Sequence, residues 1–230
     1  MNSIVIELSA VTKQYRQGNV DVHALRGIDL KVEKGEFTVI CGPSGSGKTT
    51  LLNLVGALDT PTSGTVSVDG EDLATLGRMG RSRLRRDRIG FVFQAYNLMP
   101  VLTAYENAES VLALQGVSLS ERKEHVMTLL DDVGLKGMED RRPDQLSGGQ
   151  QQRVAIARAI ASNPAVVLAD EPTANVDSET AENLLSIMEK LNQERGVTFV
   201  FSTHDQRVID RAKRVITMVD GRIASDEIKT

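Results

Sequence analysis

One short stretch, Gly42-Pro43-Ser44-Gly45-Ser46-Gly47-Lys48-Thr49, constrains this chain more than any other feature. It follows a continuous apolar run, Phe37 to Cys41, that reads as a buried strand. It precedes a helical pattern, Thr49 to Leu58, with Leu51, Leu52, Leu54 and Val55 on one face. Glycines let successive backbone N–H groups turn inward around a phosphate with no Cβ in the way, and a helix beginning near Lys48 adds the positive end of its dipole. Strand, loop and helix together form the context that a phosphate-binding loop requires. Lys48 is expected to reach the β- and γ-phosphates and the Thr49 hydroxyl to ligate Mg²⁺, with Thr50 closing the cradle.

Two further signals gain force beside this loop. Ala165-Val166-Val167-Leu168-Ala169 reads as a buried strand that delivers Asp170 and Glu171 at its C-terminal end, where α/β proteins place ligands. Neighbouring residues on a strand point opposite ways, so the two acids need not share a task. Asp170 is expected to support Mg²⁺, and Glu171 to polarise the attacking water as general base. Leu146-Ser147-Gly148-Gly149-Gln150 stands before a helical run, with Ser147 as a good N-cap and two glycines that leave backbone N–H groups bare. Taken alone it reads first as a capped helix after a proline-containing loop; beside the phosphate-binding loop it looks like a second anion-binding helix terminus.

Elsewhere the pattern alternates between strands and helices. Ile4 to Leu8, Val11 to Tyr15, Ala24 to Val32, Thr65 to Val68, Thr198 to Ser202, Arg214 to Val219 and Arg222 to Ser225 read as strands. Turns are expected at Gly18-Asn19, Asp69-Gly70 and Asp220-Gly221, and a hairpin turn at Glu33-Lys34-Gly35-Glu36. Residues from Asn97 to about Ala161 read mainly as helix, broken near Gly116, Gly134 and Pro143. The arrangement predicts an α/β core interrupted by a helical insertion.

Bulk properties exclude other classes. The net charge is -4 and the aromatic fraction 3% with no Trp, so platforms for stacking single-stranded nucleic acid are scarce. The arginines between Arg78 and Arg88 therefore read as a solvated helix face, and no nucleic-acid partner is expected. Cys41 is the one cysteine, so no intrachain disulfide can form, which fits a reducing compartment. No secretory signal is seen and no uncharged apolar run approaches the ~20 residues of a membrane helix. A role at a membrane would need another subunit to dock on.

In this order, Gly42 to Thr49, Leu146 to Gln150 and Ala165 to Glu171 resemble the ATP-binding cassette family over almost the whole chain. The resemblance implies a P-loop NTPase of RecA-like core, with an antiparallel β subdomain and an inserted helical subdomain. The core would span 1–94 and 162–230 and the insertion 95–161. It implies that Gln94 reaches Mg²⁺ and senses a transmembrane partner, and that His204 contacts the γ-phosphate. Tyr15 would stack on adenine and Asp177 would couple two sites, although Ala174-Asn175-Val176-Asp177 departs from the family's commoner Ser-Ala-Leu-Asp. Two cassettes would pack head to tail, each ATP lying between one phosphate loop and the other chain's Ser147 to Gln150. The stretches Ile89 to Gln94, Asn97 to Pro100 and Leu102 to Asn107 narrow the resemblance to the LolD/MacB-type subfamily. That implies integral membrane permease subunits, a place on the cytoplasmic face of the bacterial inner membrane, and work in lipoprotein release or related export. A non-transport cassette ATPase of DNA repair or translation is the competing class; it lacks support, since no sustained heptads and no second cassette occur.

Overall fold

The computed structural model describes residues 3–18 and 20–229. Two sheets form the frame. A six-stranded sheet has the order β10-β9-β3-β8-β7-β6, where β3 is Phe37–Cys41, β6 Ile89–Phe93, β7 Val166–Asp170, β8 Phe199–Ser202, β9 Arg214–Val219 and β10 Arg222–Ile228. All neighbours in it are parallel except the edge pair β9 and β10. A four-stranded antiparallel sheet has the order β2-β1-β4-β5, with β1 Ile4–Gln17, β2 Val20–Glu33, β4 Ser63–Val68 and β5 Glu71–Asp72.

The central strands are apolar throughout because both faces of their sheet are covered. Phe37, Val39, Val167, Ala169, Phe199 and Phe201 point to one face. There they pack with α3 (Ala104–Leu114), α4 (Leu119–Asp132), α5 (Gly148–Ile160) and α6 (Ser178–Arg195). Ile40, Leu168, Val200 and Ile216 point to the other face, against α1 (Lys48–Val55) and the inward residues of the four-stranded sheet. The helices α3 to α5 lie between β6 and β7 in the chain, as the insertion pattern predicts. Capping boxes start all three: Thr103 with Glu106, Ser118 with Glu121, and Ser147 with Gln150. The arginine-rich helix α2 (Arg78–Arg88) buries Leu84 alone, in agreement with a solvated face. The short helix α7 (Gln206–Arg211) follows β8.

Two expectations change. Ile4 to Tyr15 forms one strand, and the expected break is a bulge between Leu8 and Val11, where Ala10 takes a φ of 49°. Glu33 to Glu36 does turn the chain, with the Glu36 N–H donating to the Glu33 carbonyl at 3.2 Å, but the strands it joins do not pair. β2 stays with β1, while β3 crosses to the other sheet between β8 and β9. Both faces of β3 are thereby buried, which a two-strand hairpin would leave half open. Asn19 of the Gly18-Asn19 turn lies outside the described residues.

Candidate active site

The parallel strands deliver their chemistry at one edge. β3 ends in the glycine loop, β6 in Gln94, β7 in Asp170 and Glu171, and β8 leads to Thr203 and His204. A cleft of about 660 Å³ opens there, lined by Gly42 to Thr50 together with Gln94, Glu171, Ser202 and His204.

The loop's glycines are required twice over. Gly42, Gly45 and Gly47 take φ values of 142°, 79° and 100°. A Cβ on Gly47 would also stand 2.6 Å from the Ala24 carbonyl oxygen, which is backbone and cannot yield. Gly47 caps α1 with no side-chain bond, so the first N–H groups of that helix have no side-chain acceptor at the cap. Lys48 Nζ donates to the carbonyls of Gly42 and Pro43 at 2.8 and 2.9 Å. The Ser46 hydroxyl is buried with no partner among the described residues, while Pro43 and Ser44 line the cleft beside it.

Opposite the loop stand the acids. The Thr49 hydroxyl lies 3.5 Å from Asp170 Oδ2, and Asp170 Oδ1 and Ser202 Oγ are buried without partners among the described residues. Burial pushes the Asp170 carboxyl above its ordinary range, with the neighbouring Glu171 charge adding to it. Among the described residues no cluster of three His, Cys, Asp or Glu side chains forms a metal cage. Mg²⁺ does not need one: it keeps waters and substrate phosphates and takes one or two protein oxygens. Asp170 with its orphaned oxygen, beside the Thr49 hydroxyl, fits that demand.

Glu171 is held in a strained left-handed conformation, φ 46°, with its N–H donating to the Ser202 carbonyl at 2.9 Å. Its carboxylate accepts from the Thr203 hydroxyl at 2.8 Å and lies 2.7 Å from His204 Nδ1. A general base needs such an orienting shell and a place at the edge of a cleft. Next to it, the Arg207 guanidinium holds Asp205 down to about 2, and the Thr173 hydroxyl donates to the same carboxylate at 2.8 Å.

Not every predicted residue meets in this cleft. Ser147, Gly148, Gly149 and Gln150 do not line it. Ser147 Oγ accepts from the Gln150 N–H at 3.3 Å, and Gln150 Oε1 accepts from the Ser147 N–H at 2.9 Å. Asp177 is the N-cap of α6, accepting from the Thr180 N–H and hydroxyl at 2.9 and 2.7 Å, and the hydroxyl bond holds its carboxyl below the usual range. Tyr15 donates its hydroxyl to Asp59 at 2.9 Å, with the Lys13 ammonium 4.8 Å from the ring centre. The residue paired with it across the ribbon, Val22, lines the cleft together with His23 and Ala24. Those three carry no motif in the sequence; their place follows from the long β1–β2 ribbon reaching over the phosphate loop.

Among the described residues no helix is long and apolar enough to cross a membrane. A model of the ABC transporter family matches residues 25–174. The lipoprotein-releasing system ATP-binding protein LolD of Anaeromyxobacter dehalogenans is 49% identical, over 96% of this chain and 93% of its own. The macrolide export ATP-binding/permease protein MacB of Syntrophobacter fumaroxidans is 48% identical over 95% of this chain, which spans only 31% of that longer protein. Among solved structures, the dimeric post-hydrolysis state of the ATP-binding cassette MJ0796 bound to ADP and Pi superposes with a TM-score of 0.88 at 44% identity, over 97% of this chain and 98% of that one. Similarity of this extent, reached independently by sequence and by fold, means that the chain belongs to the ABC transporter family, as one of its ATP-binding, ATP-hydrolysing subunits.

Proposed function

We propose that the cleft holds Mg²⁺-ATP and that two copies of the chain hydrolyse it between them to drive a membrane permease in lipoprotein release or a related export. The observation that carries the reading is the Glu171 and His204 pair, 2.7 Å apart, facing the same cleft as the Gly42 to Thr50 loop. Lys48 exchanges its two loop carbonyls for β- and γ-phosphate oxygens, and the bare N–H groups of the loop and of α1 complete the cradle. Thr49, Asp170 and Gln94 are the residues that would hold Mg²⁺, which supplies charge neutralisation between the phosphates. Glu171 takes the proton of the attacking water. His204 contacts the γ-phosphate and leaves the carboxylate free to act. Tyr15 stacks on the adenine from the edge of the ribbon.

Ser147, Gly148, Gly149 and Gln150 do not line their own chain's cleft, which supports a head-to-tail homodimer. In it this capped helix terminus faces a γ-phosphate bound by the partner, with Asp177 at the seam. The related cassette solved as a dimer bound to ADP and Pi supports a dimer as the nucleotide-bearing form. Residues 95–161 form the helical subdomain, and the rest forms the core and its β sheet. With permease subunits as partners and no membrane-crossing helix of its own among the described residues, the cassette works as a peripheral subunit on the cytoplasmic face of a bacterial inner membrane.

Glu171→Gln tests the assignment. Glutamine keeps an acceptor for Thr203 but cannot accept the water's proton, so turnover falls about 10²–10⁴-fold while ATP still binds and a nucleotide-bound dimer accumulates on gel filtration. Turnover at the wild-type rate would sink the general-base role.

A further inference from the structure

The departure at Asn175 has a structural counterpart. Its side-chain amide clasps the segment that follows β6. Asn175 Nδ2 donates to the Gln94 carbonyl at 2.9 Å, and Asn175 Oδ1 accepts from Gln94 Nε2 at 3.4 Å. The Tyr96 hydroxyl donates to the Asn175 carbonyl at 3.1 Å. That same hydroxyl lies 2.8 Å from where a Cβ on Gly148 would stand. Three loops far apart in sequence therefore meet at the Tyr96 hydroxyl: the turn after β6, the turn before α6 and the start of α5.

Each loop is anchored independently of this clasp. Tyr96 and Asn97 take φ values of 55° and 50°, and their carbonyls accept from the Arg158 guanidinium at 2.9 and 2.6 Å. The Pro172 carbonyl accepts from the buried Gln152 amide at 2.7 Å, and Asp177 caps α6. Asn175 is exposed between these two fixed points and adds nothing to the core. Its two bonds to Gln94 divide the work. The shorter one ties the turn to the backbone, and the longer, weaker one holds a side-chain amide that also lines the nucleotide cleft. The amide offers a donor on its nitrogen and an acceptor on its oxygen, one for each of the two Gln94 groups; aspartate offers acceptors alone and alanine neither.

We infer that Asn175 is a positioning residue that sets the Gln94 side chain at the cleft, so that movement of the 174–177 turn is transmitted to Gln94. The inference rests on the proposed role of Gln94 at the nucleotide. The test is steady-state ATP hydrolysis by the full chain as wild type, Asn175→Ala, Gln94→Ala and the double variant, with urea denaturation of each. Asn175→Ala is expected to lower kcat about ten-fold with KM for ATP within about two-fold, at an unchanged denaturation midpoint. In the Gln94→Ala background the same substitution should cost less than about two-fold, because its side-chain partner is already gone. Equal losses in both backgrounds, or a wild-type kcat for Asn175→Ala, would overturn the inference and leave the ATPase reading intact. A wild-type chain without hydrolysis would overturn that reading, and this inference with it.

Discussion

Gly149 faces two demands that one pair of substitutions can separate. A Cβ at this position would come within 3.0 Å of Thr180 Cγ2, whereas Thr180 Cβ and Oγ1 would both sit at an ordinary 3.6 Å. The collision is thus confined to one methyl group. Thr180 cannot swing that methyl aside freely, because its hydroxyl donates to Asp177 at 2.7 Å and rotation about χ1 would break the bond. Gly149→Ala therefore either displaces the start of α6 from α5 or breaks the Thr180 hydroxyl bond to Asp177, and overpacking of this kind costs about 1–3 kcal/mol. For a chain of this size each kcal/mol lowers the melting temperature by about 2–4 °C. Thr180→Ser deletes the methyl and keeps the hydroxyl for Asp177. The double variant Gly149→Ala with Thr180→Ser should thus regain most of the lost stability in urea denaturation. ATP hydrolysis should stay low in it, since the proposed dimer turns this terminus toward a partner's γ-phosphate and that role requires position 149 to carry no side chain. A Gly149→Ala chain as stable as the wild type, or one that Thr180→Ser fails to rescue, would refute the steric argument. Full hydrolysis by the rescued double variant would refute the role proposed for the helix terminus.

Two further outcomes follow from buried charge. Asp205 is depressed to about 2 by Arg207, so its stabilisation is complete above about pH 4 and is lost as pH falls towards 2. Asp205→Asn should remove about 1–2 kcal/mol from the acid limb of the stability profile, and an unchanged limb would count against the pairing. Burial lowers the pKa of Arg158, whose guanidinium serves only the Tyr96 and Asn97 carbonyls among the described residues. Arg158→Met should destabilise the chain by about 1–3 kcal/mol and speed amide hydrogen exchange in the turn after β6; unaltered exchange there would show that the turn holds without it.

The parts of this site that sequence revealed are those in which local order is itself the mechanism. The phosphate loop needs glycines at fixed offsets between a strand and a helix, so Gly42 to Thr49 announced both the fold and the cleft. The Ser147 cap and the strand ending in Asp170 are local in the same sense. What stayed hidden is non-local. That β3 leaves β2 for β8 and β9 depends on which faces remain to be covered, and strand pattern alone is silent on pairing. The clasp between Asn175 and Gln94 joins residues 81 apart, and no periodicity signals it. The cleft's lining by Val22, His23 and Ala24 depends on how far a bulged ribbon reaches, which is fixed by the register of β1 against β2.

The two carbonyls that Lys48 occupies in its own loop carry a consequence for ligand choice. Two of its three N–H donors are already taken, so a ligand gains fully from it only if it can outbid a pair of peptide oxygens. Phosphate oxygens bearing full charge can do so; an adenine ring or a ribose hydroxyl cannot. Under the binding mode proposed above, the loop therefore behaves as a threshold. Adenosine, with no phosphate, leaves the lysine where it rests, and only a polyphosphate reaching the ammonium makes the swap. Because occupancy trades one set of acceptors for another, the lysine has its own carbonyls to return to once the phosphates have left, and the empty loop keeps its ammonium partnered.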